Sequence, residues 1–103
     1  MLVSKTYNKD EIVSFKLVNG DEIIAKLVEV SDDSFVISKP TTVIPSERGM
    51  GLLQSFFTGD LNKEITLDKK HVMMHTKTIK EMENHYIKTT TGIEPVGNGG
   101  ILL

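Results

Sequence analysis

Three consecutive basic side chains, Lys69, Lys70 and His71, are the residues of this chain best suited to binding chemistry. Two ammonium groups and an imidazole in one step can meet a phosphate and a base edge, or they can form a solvated turn without a ligand. Phe35 offers a flat face on which a base could stack, a contact worth about 1–3 kcal/mol per base. It can equally be a core aromatic. Asp33, two residues earlier, suits a turn. His71 and His75 are four apart, a metal-ligand spacing on a helix. The surrounding residues read as a strand instead, where positions four apart lie about 13 Å from each other. No acidic third ligand accompanies them and cysteine is absent, so neither a metal nor another cofactor is expected. Nucleophile motifs of the G-x-S-x-G kind are missing, as are P-loop and Rossmann glycine patterns. No catalytic residue is assigned and the chain is not expected to be an enzyme.

The elements that must position these groups are short strands. Val13, Phe15 and Leu17 alternate with Ser14 and Lys16, the pattern of a half-buried strand. Asn19-Gly20 follows, a strong hairpin signal because both residues tolerate positive φ. The next strand, roughly 21–30, places Ile23, Ala25 and Leu27 on one face and Ile24, Val28 and Val30 on the other, as a long bent strand with two buried faces requires. Ser31-Asp32-Asp33 reads as a turn, and Phe35-Val36-Ile37 opens a third strand whose far end Pro40 confines to an edge or bulge. Val43 and Ile44 resume it, Ser46 to Gly49 reads as a loop, and residues 52–57 as a fourth strand. After a turn at 58–62, Ile65 and Leu67 lead into the basic step, and residues 72–76 form a fifth strand. Ile79, Met82 and Tyr86 then recur at helical spacing, with Thr78 and Glu81 as a capping box. The expected organisation is a flexible segment over 1–10, a small β domain over 11–77, a C-terminal amphipathic helix over 78–91 and a tail over 92–103 whose sticky end is Ile101-Leu102-Leu103.

The chain has 103 residues, no internal repeat, and the composition of one ordinary soluble domain, 39% hydrophobic and 25% charged. No apolar run approaches the ~20 residues of a membrane span, and no secretory signal opens the chain. A cytoplasmic location is the expectation. Lys and Arg total 12 against 14 Asp and Glu, a formal charge of −2, with Arg48 the single arginine. A nucleic-acid-coating domain is usually strongly basic. Any such site must therefore be local, or concentrated by symmetry.

Five short strands with interrupted alternation point to an all-β fold, a small, strongly bent SH3-like barrel. Three blocks carry a closer likeness. Val13-Ser14-Phe15-Lys16-Leu17-Val18-Asn19-Gly20, then Asp33-Ser34-Phe35-Val36-Ile37, then Lys70-His71-Val72 resemble the successive signatures of the Sm-like family, most nearly its bacterial RNA chaperone branch, Hfq. The likeness covers roughly residues 11–76. The enlarged region between the third and fifth strands and the helix at the C-terminal end are similar in layout to Sm-like proteins carried by phages of marine cyanobacteria. Ala25 stands near a position where the family usually has a bend-permitting glycine. Ile37 stands where eukaryotic and archaeal Sm proteins have a base-reading asparagine.

This resemblance implies a cyclic homo-oligomer of about five to seven subunits, in which the fourth strand of one copy pairs with the fifth strand of the next. Leu52, Leu53, Phe56, Phe57, Val72, Met73 and Met74 would then be interface residues. Lys70 and His71, with Lys69 beside them, would face a pore, where each copy repeats the basic step and an acidic protomer still presents a positive annulus. Phe35 would stack on a base and Asp33 would support the loop. The implied partner is short single-stranded, U-rich RNA, bound without covalent chemistry. A second expectation, from another class, is a structural ring without RNA affinity, which docks a protein partner through the C-terminal helix and tail. A monomeric SH3-like peptide binder is a third.

Overall fold

A computed structural model describes residues 6–91 of the chain. Its strands are β1 (Ile12–Leu17), β2 (Glu22–Val30), β3 (Ser34–Ser46), β4 (Gly49–Gln54), β5 (Ile65–Asp68) and β6 (Val72–Lys77); a 3₁₀ turn, Lys69–His71, joins the last two, and one helix, α1 (Lys80–Thr90), follows. The strands form one antiparallel sheet in the order β4-β3-β2-β1-β6, with β5 paired to the other half of the β3 margin that β4 uses. Six strands replace the expected five, and no hydrogen bonds close the sheet into a ring.

The β1–β2 hairpin follows from its sequence. Leu17 N–H bonds to Asp21 O and Gly20 N–H to Leu17 O, leaving a three-residue loop. Of Asn19 and Gly20, only Gly20 takes positive φ, at 98°. Asn19 instead accepts the Asp21 N–H through its side chain, which fixes the turn without left-handed strain.

β2 buries Ile23, Ala25 and Leu27 on one face and Ile24 on the other, while Val28, expected on that second face, is half-buried and Val30 is exposed. Ile23, Ala25 and Leu27 join Val13, Phe15, Phe35 and Ile37 in one cluster, while Ile24 joins Ile12, Val43 and Tyr86 in another. Ile65 and Leu67 from β5 and Val72 from β6 pack on the first cluster, although those strands lie at opposite margins. The sheet therefore curls around that core. α1 covers the second cluster through Tyr86 and Met82.

Several boundaries differ from the sequence reading. β3 runs through both prolines to Ser46, kinked at Lys39, which holds φ at 50° just before Pro40. Glu47 and Arg48 make a two-residue turn, so β4 starts at Gly49, where φ is 120°. Gly49 and Gly51 pair within the ladder where a loop was expected. Phe56 and Phe57 leave the sheet after Ser55 N–H reaches Pro40 O. Ile65–Asp68, read as a mere approach to the basic step, is a strand in its own right.

The capping box does not form. Thr78 is buried, its N–H bonds to Ile12 O and its hydroxyl lies 2.7 Å from that of Ser14. With both groups committed to β1, the chain stays on the sheet through Thr78 and the helix begins at Lys80, capped by Ile79 without a side-chain bond. The tail expected over 92–103 and residues 1–5 of the expected N-terminal segment lie outside the described residues.

Candidate nucleic-acid interface

The basic step is held as a single 3₁₀ turn by three backbone–backbone bonds and one side-chain cap. Asp68 caps it, its carboxylate accepting the Lys70 N–H at 3.0 Å. Val72 N–H bonds to Lys69 O, closing the turn. Lys69 N–H bonds to Asp33 O at 3.0 Å, and Val18 N–H to His71 O at 2.9 Å. The turn is thus pinned to the β2–β3 corner on one side and to the β1–β2 hairpin on the other. Asp33 reaches the turn through its backbone carbonyl, a contact that does not depend on its side chain.

The side chains divide by exposure. Lys70 and His71 are exposed and Lys69 is half-buried. Lys70 Nζ stands 3.8 Å from Asp68 Oδ2, with both side chains well solvated, so the pair is weak and leaves the ammonium available to an anion. Lys69 Nζ sits over the Phe35 ring, 5.3 Å from its centroid, a cation–π contact.

Phe35 does not offer an open face to a base. It is 2% exposed, meets Phe15 edge-on at 5.0 Å between centroids, and lies in the first core cluster. The core reading of this aromatic prevails because its strand position, next in register to Val30 and Leu67, turns the ring inward. The structure therefore brings Asp33, Phe35 and Lys69 together as the foundation of the turn, with Lys70 and His71 as its outward groups.

One neighbour escaped the sequence reading. His75, considered only as a metal partner of His71, is opposite Phe15 on β6. Its ring meets Phe35 edge-on at 4.9 Å, and its Nδ1 is 2.7 Å from the Tyr7 hydroxyl. Burial, and secondarily the charge of Lys69, push the His75 imidazole below its ordinary pKa of 6.5. Burial, with a smaller contribution from the Glu11 carboxylate, raises the Tyr7 phenol above its own. The phenol and the imidazole Nδ1 share one hydrogen bond, whose donor is set by the imidazole tautomer. Strict alternation along β6 would set His75 on the face opposite Val72; only the register shift at Lys16/Leu17 brings both to the Phe15 side, and the Tyr7 contact spans 68 residues and has no local signature.

The expected interface residues fall into two groups. Leu52 and Val72 are half-buried and pack on the chain's own clusters. Leu53, Phe56, Phe57, Met73 and Met74 are exposed, Phe57 to 73%. Among the described residues β6 is paired only to β1, and β4 and β5 only to β3, so both sheet margins there carry unpaired backbone groups. Among the described residues no group of three or more His, Cys, Asp or Glu could hold a metal ion, and no helix is long and apolar enough to cross a membrane. The chain matches no protein-family model and no curated protein.

Proposed function

We propose that this chain is a subunit of an Sm-like ring that binds short single-stranded, U-rich RNA at its basic turn, as a cytoplasmic, non-enzymatic RNA chaperone. The observation that carries the reading is the placement of Lys69–His71 between β5 and β6, two strands whose outer edges are unpaired. Pairing β6 of one copy with the β4/β5 margin of the next removes both edges, which a small sheet otherwise leaves open to unwanted pairing. It also gathers the basic turns of successive copies around one axis. The exposed Met73, Met74, Leu53 and Phe57 lie on or beside those margins and supply apolar area for the joint. In the ring the curled sheet completes the family's barrel. Lys70 and His71 contact phosphate and base edge, and Phe35 backs Lys69 instead of stacking on RNA.

Fluorescence anisotropy of labelled oligo-U and oligo-A, at low and physiological salt, tests this. Binding of oligo-U is expected to weaken steeply with salt, because each phosphate contact releases counterions. Lys70→Ala/His71→Ala is expected to reduce affinity at least tenfold and to flatten the salt slope. Absence of binding to either oligomer at low salt would overturn the RNA reading.

A second reading keeps the ring and discards the RNA. Ile79 and Ile87, 65% and 42% exposed, leave apolar surface on and just before the helix, and the chain is net acidic. A structural ring that docks a protein through this helix accounts for both. Sedimentation velocity distinguishes it, since the assembly would then persist in a protein with no RNA affinity.

A further inference from the structure

The Tyr7–His75–Phe35–Lys69 cluster joins a titratable imidazole to a cation that belongs to the basic turn. We propose that His75 is a proton-operated latch: its protonation displaces Lys69 from the Phe35 ring and sets a second solvent-facing ammonium beside Lys70 in the basic turn.

Two groups share one aromatic ring. The His75 imidazole lies 4.9 Å from the Phe35 centroid and Lys69 Nζ lies 5.3 Å from the same centroid. While the imidazole is neutral, the ring holds one cation. An imidazolium places a second positive charge against the same ring; the His75 side chain is exposed, so water moderates the repulsion without removing it.

The surroundings decide which group yields. His75 is fixed by the β6 ladder opposite Phe15, with Phe15 6.3 Å away between centroids. Lys69 has a long flexible stem, is half-buried, and apart from the contact of its ammonium with Phe35 is held through its backbone. Lys69 therefore moves.

Among the described residues, nothing packed on His75 compensates its charge. The N-terminal segment contributes the Tyr7 hydroxyl, an uncharged group that can accept from a protonated Nδ1 as readily as it donates to a neutral one. Glu11, near Tyr7, already accepts the Asn8 N–H at 2.9 Å and pairs with Lys77 at 3.3 Å. β1 and β3 contribute Phe15 and Phe35, and the 3₁₀ turn contributes Lys69. On β6 itself, Lys77 is held by Glu11 and Glu83. The fold thus favours neutral His75, and protonation occurs below the ordinary value of 6.5. By linkage, the unfolded chain binds this proton first. Stability contributed by the neutral imidazole is complete above pH 6.5 and is lost as pH falls toward the lower folded value.

The latch rests on the cluster's geometry and not on RNA binding, and its test uses no RNA. In the full chain, the His75 ring carbons and the Lys69 ε-methylene are followed by NMR from pH 8 to 5. Lys69 ε-protons over Phe35 start upfield through the ring current. They are expected to move to ordinary lysine shifts with the same midpoint as His75. His75→Gln is expected to abolish that movement, and His71→Gln to leave it intact. Lys69→Met leaves His75 in place and is expected to raise its midpoint toward 6.5. The proposal is overturned if Lys69 shifts stay constant while His75 titrates, if the movement survives His75→Gln, or if Lys69→Met leaves the midpoint where it was.

Discussion

Phe15→Ala is expected to lower the unfolding free energy by about 3–5 kcal/mol, the range for removing a large buried aromatic. Phe15 is fully buried and packs edge-on against Phe35 at 5.0 Å, with His75 on another side. It sits on β1, which is paired on both edges, to β2 and to β6. The surrounding backbone has little freedom to collapse into the void, so the cost falls toward the upper end of the range. Total stability of a domain of this size is about 5–15 kcal/mol. Urea unfolding followed by far-UV circular dichroism measures the loss. A shift of under about 1 kcal/mol would mean that this cluster is not the core on which the sheet depends.

The second large effect is at Tyr86. Its ring is 1% exposed and anchors α1 on Ile12, Ile24 and Val43. Its hydroxyl lies within hydrogen-bond reach of Ser38 O at 3.1 Å and Lys39 O at 2.9 Å, and burial pushes its pKa up to about 12. Tyr86→Ala removes both the ring and this bond and is expected to cost about 3–5 kcal/mol, by analogy with other large aromatics. Tyr86→Phe keeps the ring and is expected to cost about 1–2 kcal/mol, because it leaves buried carbonyl groups short of a donor. The difference separates packing from polar contact. The left-handed Lys39 adds a third comparison, since the same hydroxyl holds its carbonyl in place. If Tyr86→Phe and Tyr86→Ala destabilise equally in urea, the hydroxyl and not the ring fastens the helix.

What could be read from sequence follows the range of the interactions responsible. Alternation at Val13, Phe15 and Leu17 and the Asn19-Gly20 turn are local, and they place the first hairpin correctly. The two faces of β2 are legible for the same reason, and Ile24 joins the second cluster as its position demands. β4 is harder, because two glycines weaken strand propensity, yet the ladder to β3 overrides it. β5 has four residues, too few to show a period. Thr78 resembles a helix cap in sequence, and only the distant Ser14 diverts its hydroxyl. At the candidate site, a run of Lys-Lys-His is visible by inspection. The burial of Phe35 depends on what lies across the sheet, and a lone aromatic gives no sign of it. The contact of His75 with Tyr7 is likewise tertiary.

The arrangement of partners around β3 and β1 sets an order for folding. β1, β2, β3 and β4 pair each with its predecessor through short connections, so their contacts close small loops. β6 must find β1 from the other end of the described chain, joining Val13 to Lys77. Loop closure of that length is costly before it is rewarded, so non-local pairs form late. Leu27→Ala, within the meander, is expected to slow refolding. Val72→Ala, at the late joint, is expected mainly to speed unfolding. Stopped-flow chevrons resolve the two, and equal effects on both limbs would argue against this sequence of events. On a ribosome, the outer edge of β1 stays unpaired until residue 77 has emerged. A nascent chain therefore passes through a stage in which the β1–β4 meander has formed and is still open to pairing with another chain.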